Sequence, residues 1–303
     1  MSELPDRRLL LVHAHPDDET INNGVTMARY VAEGAQVTLV TCTLGEEGEV
    51  LVPELAHLAA DQTDGLGKHR IGELAAAMDE LGVTDHRFLG GPGKYRDTGM
   101  IYDDEGNAAV PLETRPESFW QADLLAAAND LVPLIRELRP QVLVTYDQFG
   151  NYGHPDHIQA HRVATYAAAL AGARSYRPDL GEAWDIAKIY WMAMAESGMR
   201  DSLRKLRESG DTTTFEGMDP DGPMPPMITP DRLIDCVITG EAFVDRKMNA
   251  MKAHATQITV DGPFFALSNN NGLEIWGSEA YRLVKGTAAP GPDGVETDLF
   301  AGL

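Results

Sequence analysis

Two short stretches of the chain concentrate the residue types that hold metals and move protons. One is His13-Ala-His15-Pro-Asp17-Asp18-Glu19, the other Tyr152-Gly-His154-Pro-Asp156-His157. Both contain His-Pro-Asp. Proline fixes its own φ and pushes the preceding residue out of the helical region, so each motif aims a side chain at a defined angle. Two imidazoles plus one carboxylate leave an open position for water, as in catalytic zinc sites. Zinc lowers the pKa of that water to about 7. Asp17 and Asp18 are adjacent, so one can bind metal while the other acts as general base, an effect worth roughly 10²- to 10⁴-fold. A lone His-Pro-Asp is often only a turn; two of them, each after a strong strand, argue for a site. His57, His69, His86 and His161 are read as solvated or structural; the i, i+4 pair His157 and His161 lacks the glutamate of His-Glu-x-x-His. On composition alone the acidic loop Leu44–Glu49 reads as a solvated turn.

Positioning these residues is the task of the surrounding elements. Residues 7–14 form a short apolar run that reads as a buried strand, followed by a helix over 19–33 that stops at Gly34. A β-branched strand is expected at 36–42, a helix at 66–82 and a strand at 86–89. Residues 90–118 are rich in Gly, Pro, Asp and Arg and read as a long functional loop. A helix at 121–138, a strand at 141–146 and a helix at about 156–171 follow. Beyond them the pattern predicts a strand at 186–195, a helix at 197–208, a loop at 210–230, a strand at 232–239 and a helix at 241–256. This alternation predicts an α/β fold: a Rossmann-like, mostly parallel sheet flanked by helices, with a smaller C-terminal α+β portion. Residues 1–175 would carry the metal-site core and 176–303 would complete the substrate pocket, as one continuous domain. Ligands bind such sheets at the carboxyl ends of the strands, where both His-Pro-Asp motifs fall.

Composition narrows the partners. The chain has 303 residues, with 47 Asp plus Glu against 25 Lys plus Arg, a formal net charge of −22. That balance excludes nucleic acid and an anionic membrane surface, which need basic patches. The opening apolar run is only about six residues, too short for a signal segment or a membrane span. Two cysteines, Cys42 and Cys236, are too few for a disulfide scaffold, so a cytoplasmic setting is expected.

Ala14-His-Pro-Asp-Asp-Glu19 together with His154-Pro-Asp-His157 resembles the LmbE-like (PIG-L) family of zinc N-deacetylases. Further points of likeness are Thr41–Glu49, Arg70-Ile-Gly-Glu73, Arg96-Asp97, Gly99-Met100, Val144-Thr-Tyr146, Ala253-His-Ala-Thr-Gln257 and Ala266-Leu-Ser-Asn-Asn270. The loop Gln148-Phe-Gly-Asn151 departs from the more Gly-rich loop of that family. The resemblance implies His15, Asp18 and His157 as zinc ligands, with Fe²⁺ able to take the same site. It implies Asp17 as general base, His154 as electrostatic or general-acid help, Tyr152 as the group that polarises the acetyl carbonyl, and Asp156 as the residue orienting His154. Arg70, Asp97 and Met100 would contact substrate. The likeness is strongest to the branch acting on 1-D-myo-inosityl 2-acetamido-2-deoxy-α-D-glucopyranoside (GlcNAc-Ins) in mycothiol biosynthesis. A small amido-sugar is thus the implied ligand. Amidase action on mycothiol S-conjugates, or a broader glucosaminide deacetylase, is the alternative within the family. A more distant one is a non-haem iron(II) oxygenase, whose facial triad is also two His and one carboxylate.

Overall fold

The computed structural model describes residues 6–103, 108–262, 265 and 277–303. Strand β1 (Arg8–His13) carries Leu9, Leu10, Leu11 and Val12, all buried. A strand covered on both faces needs a continuous apolar run rather than an alternating one. β1 lies at the centre of a sheet with β2 (Gln36–Thr41) and β3 (Asp85–Phe88) on one side and β6 (Val142–Thr145) and β7 (Lys188–Ala195) on the other. These five strands are parallel. β10 (Ser278–Lys285) pairs antiparallel with β7 and β9 (Cys236–Thr239) antiparallel with β10, so the second half of the chain extends the same sheet. The two-residue β8 (Ile228–Thr229) adds to the end of β7.

Helices α1 (Asp18–Ala32), α2 (Leu66–Leu81) and α7 (Val244–Ala253) pack on one another, and α3 (Leu124–Leu138) packs on α5 (Pro155–Gly172). Right-handed crossovers that run outward from β1 in opposite directions put these two groups on opposite faces. The order reverses between β1 and β6, and the crevice that opens at their carboxyl ends is where such sheets bind ligands. α6 (Glu196–Glu208) follows β7. Within the long 90–118 loop, β4 (Ile101–Tyr102) and β5 (Ala108–Ala109) form a small antiparallel pair. No helix among the described residues is long and apolar enough to cross a membrane.

Four expectations shift. The strand expected over 232–239 is strand only at Cys236–Thr239, after a 3₁₀ turn at Asp231–Leu233. The helix expected from 121 starts at Leu124, because Asp123 caps it by accepting from Ala126 N at 2.8 Å. The helix expected over 241–256 is shorter: residues 241–243 form a 3₁₀ turn, and α7 ends at Ala253, so His254 stands in the turn that follows. β10 has no counterpart in the pattern reading, because its buried positions include Glu279 and Tyr281 rather than an apolar alternation. The segment Ala266–Asn270 lies outside the described residues.

Candidate active site and metal centre

The two His-Pro-Asp motifs meet in the crevice. From β1 the chain passes through His15 and Pro16 into α1, with Asp17 as the residue that starts the helix and Asp18 in its first turn. From β6 it passes through Tyr146 and the one-turn α4 (Gly150–Gly153) into α5, which His154 caps. Gly150 has φ 65°, and a Cβ there would sit 2.8 Å from His157 Cβ and from Ile158 N. Only glycine lets α4 approach α5 so closely. Asn151 also takes a positive φ, of 60°, in the loop that is less Gly-rich than expected.

Asp18 is the hub. Its Oδ2 lies 3.3 Å from His15 Nδ1 and 3.2 Å from His157 Nε2. It accepts hydrogen bonds from Tyr146 OH at 2.7 Å and His15 N at 3.0 Å. The Tyr146 hydroxyl in turn accepts from Ala14 N at 2.9 Å, and its ring stacks on His157 with centroids 4.2 Å apart. Against burial, which raises it, the His157 and His15 rings hold the Asp18 carboxyl well below its ordinary pKa.

Whether these groups fit a metal is answered by what they lack. His157 is 1 % exposed, yet neither of its ring nitrogens makes a well-formed hydrogen bond among the described residues, Nε2 having only the 3.2 Å contact with Asp18 Oδ2. A buried imidazole that completes no hydrogen bond is costly unless a ligand satisfies it. Donor atoms of His15, His154 and His157 lie within 4.8 Å of one another. Buried imidazole nitrogens and a carboxylate oxygen converging in one crevice suit zinc or iron(II).

Asp97 and Asp156 stand behind His15. Asp156 Oδ2 is 3.3 Å and Asp97 Oδ1 3.4 Å from His15 Nε2. Carboxylates only accept, so these two hold a proton on Nε2, while Nδ1 faces Asp18. These carboxylates and Asp18 outweigh burial and raise the His15 pKa well above its ordinary value. Asp156 is itself held by Thr98 N at 2.8 Å and by a short bond from Thr98 Oγ1. Its carboxylate therefore serves His15 and not His154 as expected. Its backbone N–H is what His154 Nδ1 accepts, at 3.1 Å. That contact leaves the His154 proton on Nε2. Burial first, then His15 and His157, push the His154 pKa down to about 2, so the ring is neutral.

Asp17 sits beside this set without being part of it. Arg70 Nη2 donates to Asp17 Oδ2 at 3.1 Å and makes a short bond to Pro16 O, while Nη1 reaches Gly45 O at 2.9 Å. Burial, helped by Asp18 and opposed by Arg70, moves the Asp17 carboxyl up to about 6. Arg70 is 2 % exposed and Asp97 5 %, so neither presents a free side chain to the pocket. Tyr152, at 39 % exposure, stands at the mouth with its ring centroid 5.0 Å from that of His157. Desolvation first, then the Asp18 charge, raise its pKa, and it remains a protonated donor. Met100 is half-buried.

The Leu44–Glu49 loop is not a solvated turn. Thr41 to Glu46 are buried, and Glu46 Oε2 accepts from Asp97 N at 2.9 Å and Leu44 N at 3.2 Å. Gly45 has φ 67°, and a Cβ there would overlap the Arg70 guanidinium. Sequence reasoning gave no role to Tyr146, Thr98, Glu19 or His254, although three of them lie inside quoted motifs and Thr98 lies between two of them. Of the other histidines, His161 is structural as expected, its Nδ1 3.0 Å from Tyr146 O.

The model for PIG-L, GlcNAc-PI de-N-acetylase, matches residues 10–168. The chain belongs to the PIG-L family. That match spans both motifs and every strand of the parallel sheet except β7. Among curated relatives of the family, the 1D-myo-inositol 2-acetamido-2-deoxy-alpha-D-glucopyranoside deacetylase of Kribbella flavida is 84 % identical over the full length of both chains. The protein of the same name from Nocardioides sp. is 67 % identical, covering 98 % of this chain and 99 % of its own. Among solved structures, N,N'-diacetylchitobiose deacetylase from Pyrococcus horikoshii aligns with TM-score 0.59 at 17 % identity, covering 95 % of this chain and 88 % of that one. The 4-carboxy-2-hydroxymuconate hydratase GalB of Pseudomonas putida aligns with TM-score 0.58 at 18 % identity, covering 94 % and 99 %. The fold alone thus does not name a reaction, and the site residues must.

Proposed function

We propose that this chain is a metal-dependent N-deacetylase that hydrolyses the acetamide of GlcNAc-Ins to acetate and the free amine, in mycothiol biosynthesis, with zinc as its metal. The observation that carries the chemistry is the convergence of His15 and His157 on Asp18, with neither His157 nitrogen completing a hydrogen bond and with Asp17 adjacent. The relatives at 84 % and 67 % identity carry the substrate.

His15 through Nδ1, Asp18 and His157 would hold the metal, and Fe²⁺ suits the same donors. When bound, it supplies a Lewis acid toward the acetyl carbonyl and lowers the pKa of a water. Asp17 takes the proton of the attacking water, since its carboxyl lies next to the ligand set and outside it. The Tyr152 hydroxyl donates to the carbonyl oxygen as negative charge builds there. His154 presents a neutral Nε2–H for the same purpose. The proton held on Asp17 then passes to the leaving nitrogen, which departs as the amine. Arg70 and Asp97 act on Asp17 and His15 respectively, and Met100 is the sugar contact we retain from the sequence. We read residues 176–303 as completing the pocket for this small, neutral amido-sugar.

The test is amine release from GlcNAc-Ins beside a mycothiol S-conjugate. A kcat/KM at least about tenfold higher on GlcNAc-Ins, a difference of about 1.4 kcal/mol in transition-state stabilisation, is the expected result. The opposite preference would make the protein an amidase.

A further inference from the structure

Asp17 holds a backbone conformation that aspartate rarely adopts, φ 110° and ψ −36°. Such a conformation persists only where its surroundings fix it. Its carbonyl accepts from Thr20 N and Ile21 N, each at 3.0 Å, which starts α1. Its own N–H donates to Glu19 Oε2, in the first turn of α1, at 3.0 Å. Glu19 is completely buried, and its other oxygen is engaged too. Oε1 lies 3.0 Å from His254 Nε2 and accepts from Thr20 Oγ1 at 2.6 Å. His254 is also completely buried, and its Nδ1 has no partner among the described residues. A leucine or phenylalanine would fill that space without leaving a polar atom unpaired. The imidazole therefore stands there for what Nε2 does, which is to hold the Glu19 carboxylate.

We propose that Glu19 and His254 are positioning residues for the reaction: His254 orients Glu19, and Glu19 clamps the Asp17 amide so that the strained backbone aims the Asp17 carboxylate at the attacking water. Arg70 fixes the other end of Asp17, at its carboxylate. This rests on Asp17 being the general base. The clamp reaches across the fold, since Glu19 is in α1 and His254 follows α7. Neither touches substrate. Their effect is on geometry, and a misplacement of about 1 Å at a reacting group can cost about 10²-fold.

The experiment is a double-mutant cycle on the full-length, metal-loaded protein with GlcNAc-Ins. Metal content and thermal midpoint are recorded for every variant. Glu19→Ala should lower kcat about 10²-fold with KM changed less than about threefold, and with metal content unchanged. Glu19→Gln should recover to within about tenfold of wild type. Its carbonyl can still accept from Asp17 N, while its amide donates to His254 Nε2 in the other tautomer. In the Asp17→Ala background, Glu19→Ala should cost less than about twofold more, because the residue it positions is gone. His254→Ala should follow Glu19→Ala in both backgrounds. If Glu19→Ala does not accumulate as folded protein, Glu19→Asp, whose carboxylate falls short of Asp17 N, takes its place in the cycle. An additive loss in the Asp17→Ala background, or full kcat in Glu19→Ala, would overturn the proposal. Full activity of Asp17→Ala alone would overturn the assignment of the base instead.

Discussion

Arg70 Nη2 and Asp17 Oδ2 lie 3.1 Å apart, and the same guanidinium also grips the carbonyl of Pro16, the residue before Asp17. A solvated helix arginine could not do this. Arg70 is buried under the Leu44–Glu49 loop, where Gly45 leaves just enough room for it. The contact ties a group expected to recognise sugar to the group expected to move the proton.

Arg70→Ala should therefore lower kcat about 10- to 100-fold, the loss of one buried charge-assisted partner at about 1.5–3 kcal/mol. The loss should be the same on GlcNAc-Ins and on plain N-acetylglucosamine, because it is transmitted through Asp17. Steady-state kinetics on both decide this. A loss confined to KM for GlcNAc-Ins would return Arg70 to inositol recognition.

Asp156 gives a second test. Its carboxylate faces His15 Nε2 at 3.3 Å, and outer-shell partners of this kind typically contribute 10- to 100-fold to metal affinity, an approximate range. Asp156→Ala should weaken zinc binding by about that factor in a competition titration with a chelator dye. Zinc affinity equal to wild type, with the loss confined to kcat, would show that Asp156 acts on His154 after all.

Tyr152 is more than a third exposed, and its ring packs edge-on against His154 and His157, contacts that phenylalanine would keep. Tyr152→Phe should leave the thermal midpoint unchanged and reduce kcat by about 10²-fold, the scale of one lost oxyanion donor. Unchanged kcat would place the carbonyl oxygen beyond its reach.

Gly150 tests the link from backbone to site. With φ 65° and His157 Cβ only 2.8 Å from the added carbon, Gly150→Ala should cost about 1–3 kcal/mol of stability. Urea unfolding should show the midpoint falling at constant slope. Zinc affinity should fall with it, since the relief of the clash displaces His157. A stable variant with normal zinc binding would mean that α4 can simply move.

Much of this was legible in the sequence because the central strands are apolar from end to end and their helices have clear periodicity. β1, β2, β6 and the helices beside them fall within a few residues of where the pattern puts them. The convergence of His15 with His157 follows from strand order, once both motifs are placed at the carboxyl ends of β1 and β6. What the pattern hid is burial of polar groups by tertiary partners. Glu279 sits inside β10 because Val25 N, Thr26 N and Lys247 Nζ satisfy it, all distant in sequence. Glu46 goes inside through one distant donor, Asp97 N, beside a local one, Leu44 N. Local composition calls such segments solvated, since nothing nearby announces the partner. Adjacency misleads at Asp156: only Pro155 separates it from His154, but its carboxylate points to His15, 141 positions away.

Acetate release from GlcNAc-Ins, followed on one preparation before chelation, after it and after zinc is returned, addresses the central claim most directly. Elemental analysis of the same samples supplies the metal content. The account predicts turnover that disappears with the metal and returns in proportion to zinc, saturating at about one ion per chain, as expected for a single three-ligand catalytic site. Turnover of GlcNAc-Ins that persists in fully stripped protein would contradict it, as would zinc bound at that stoichiometry by protein that releases no acetate.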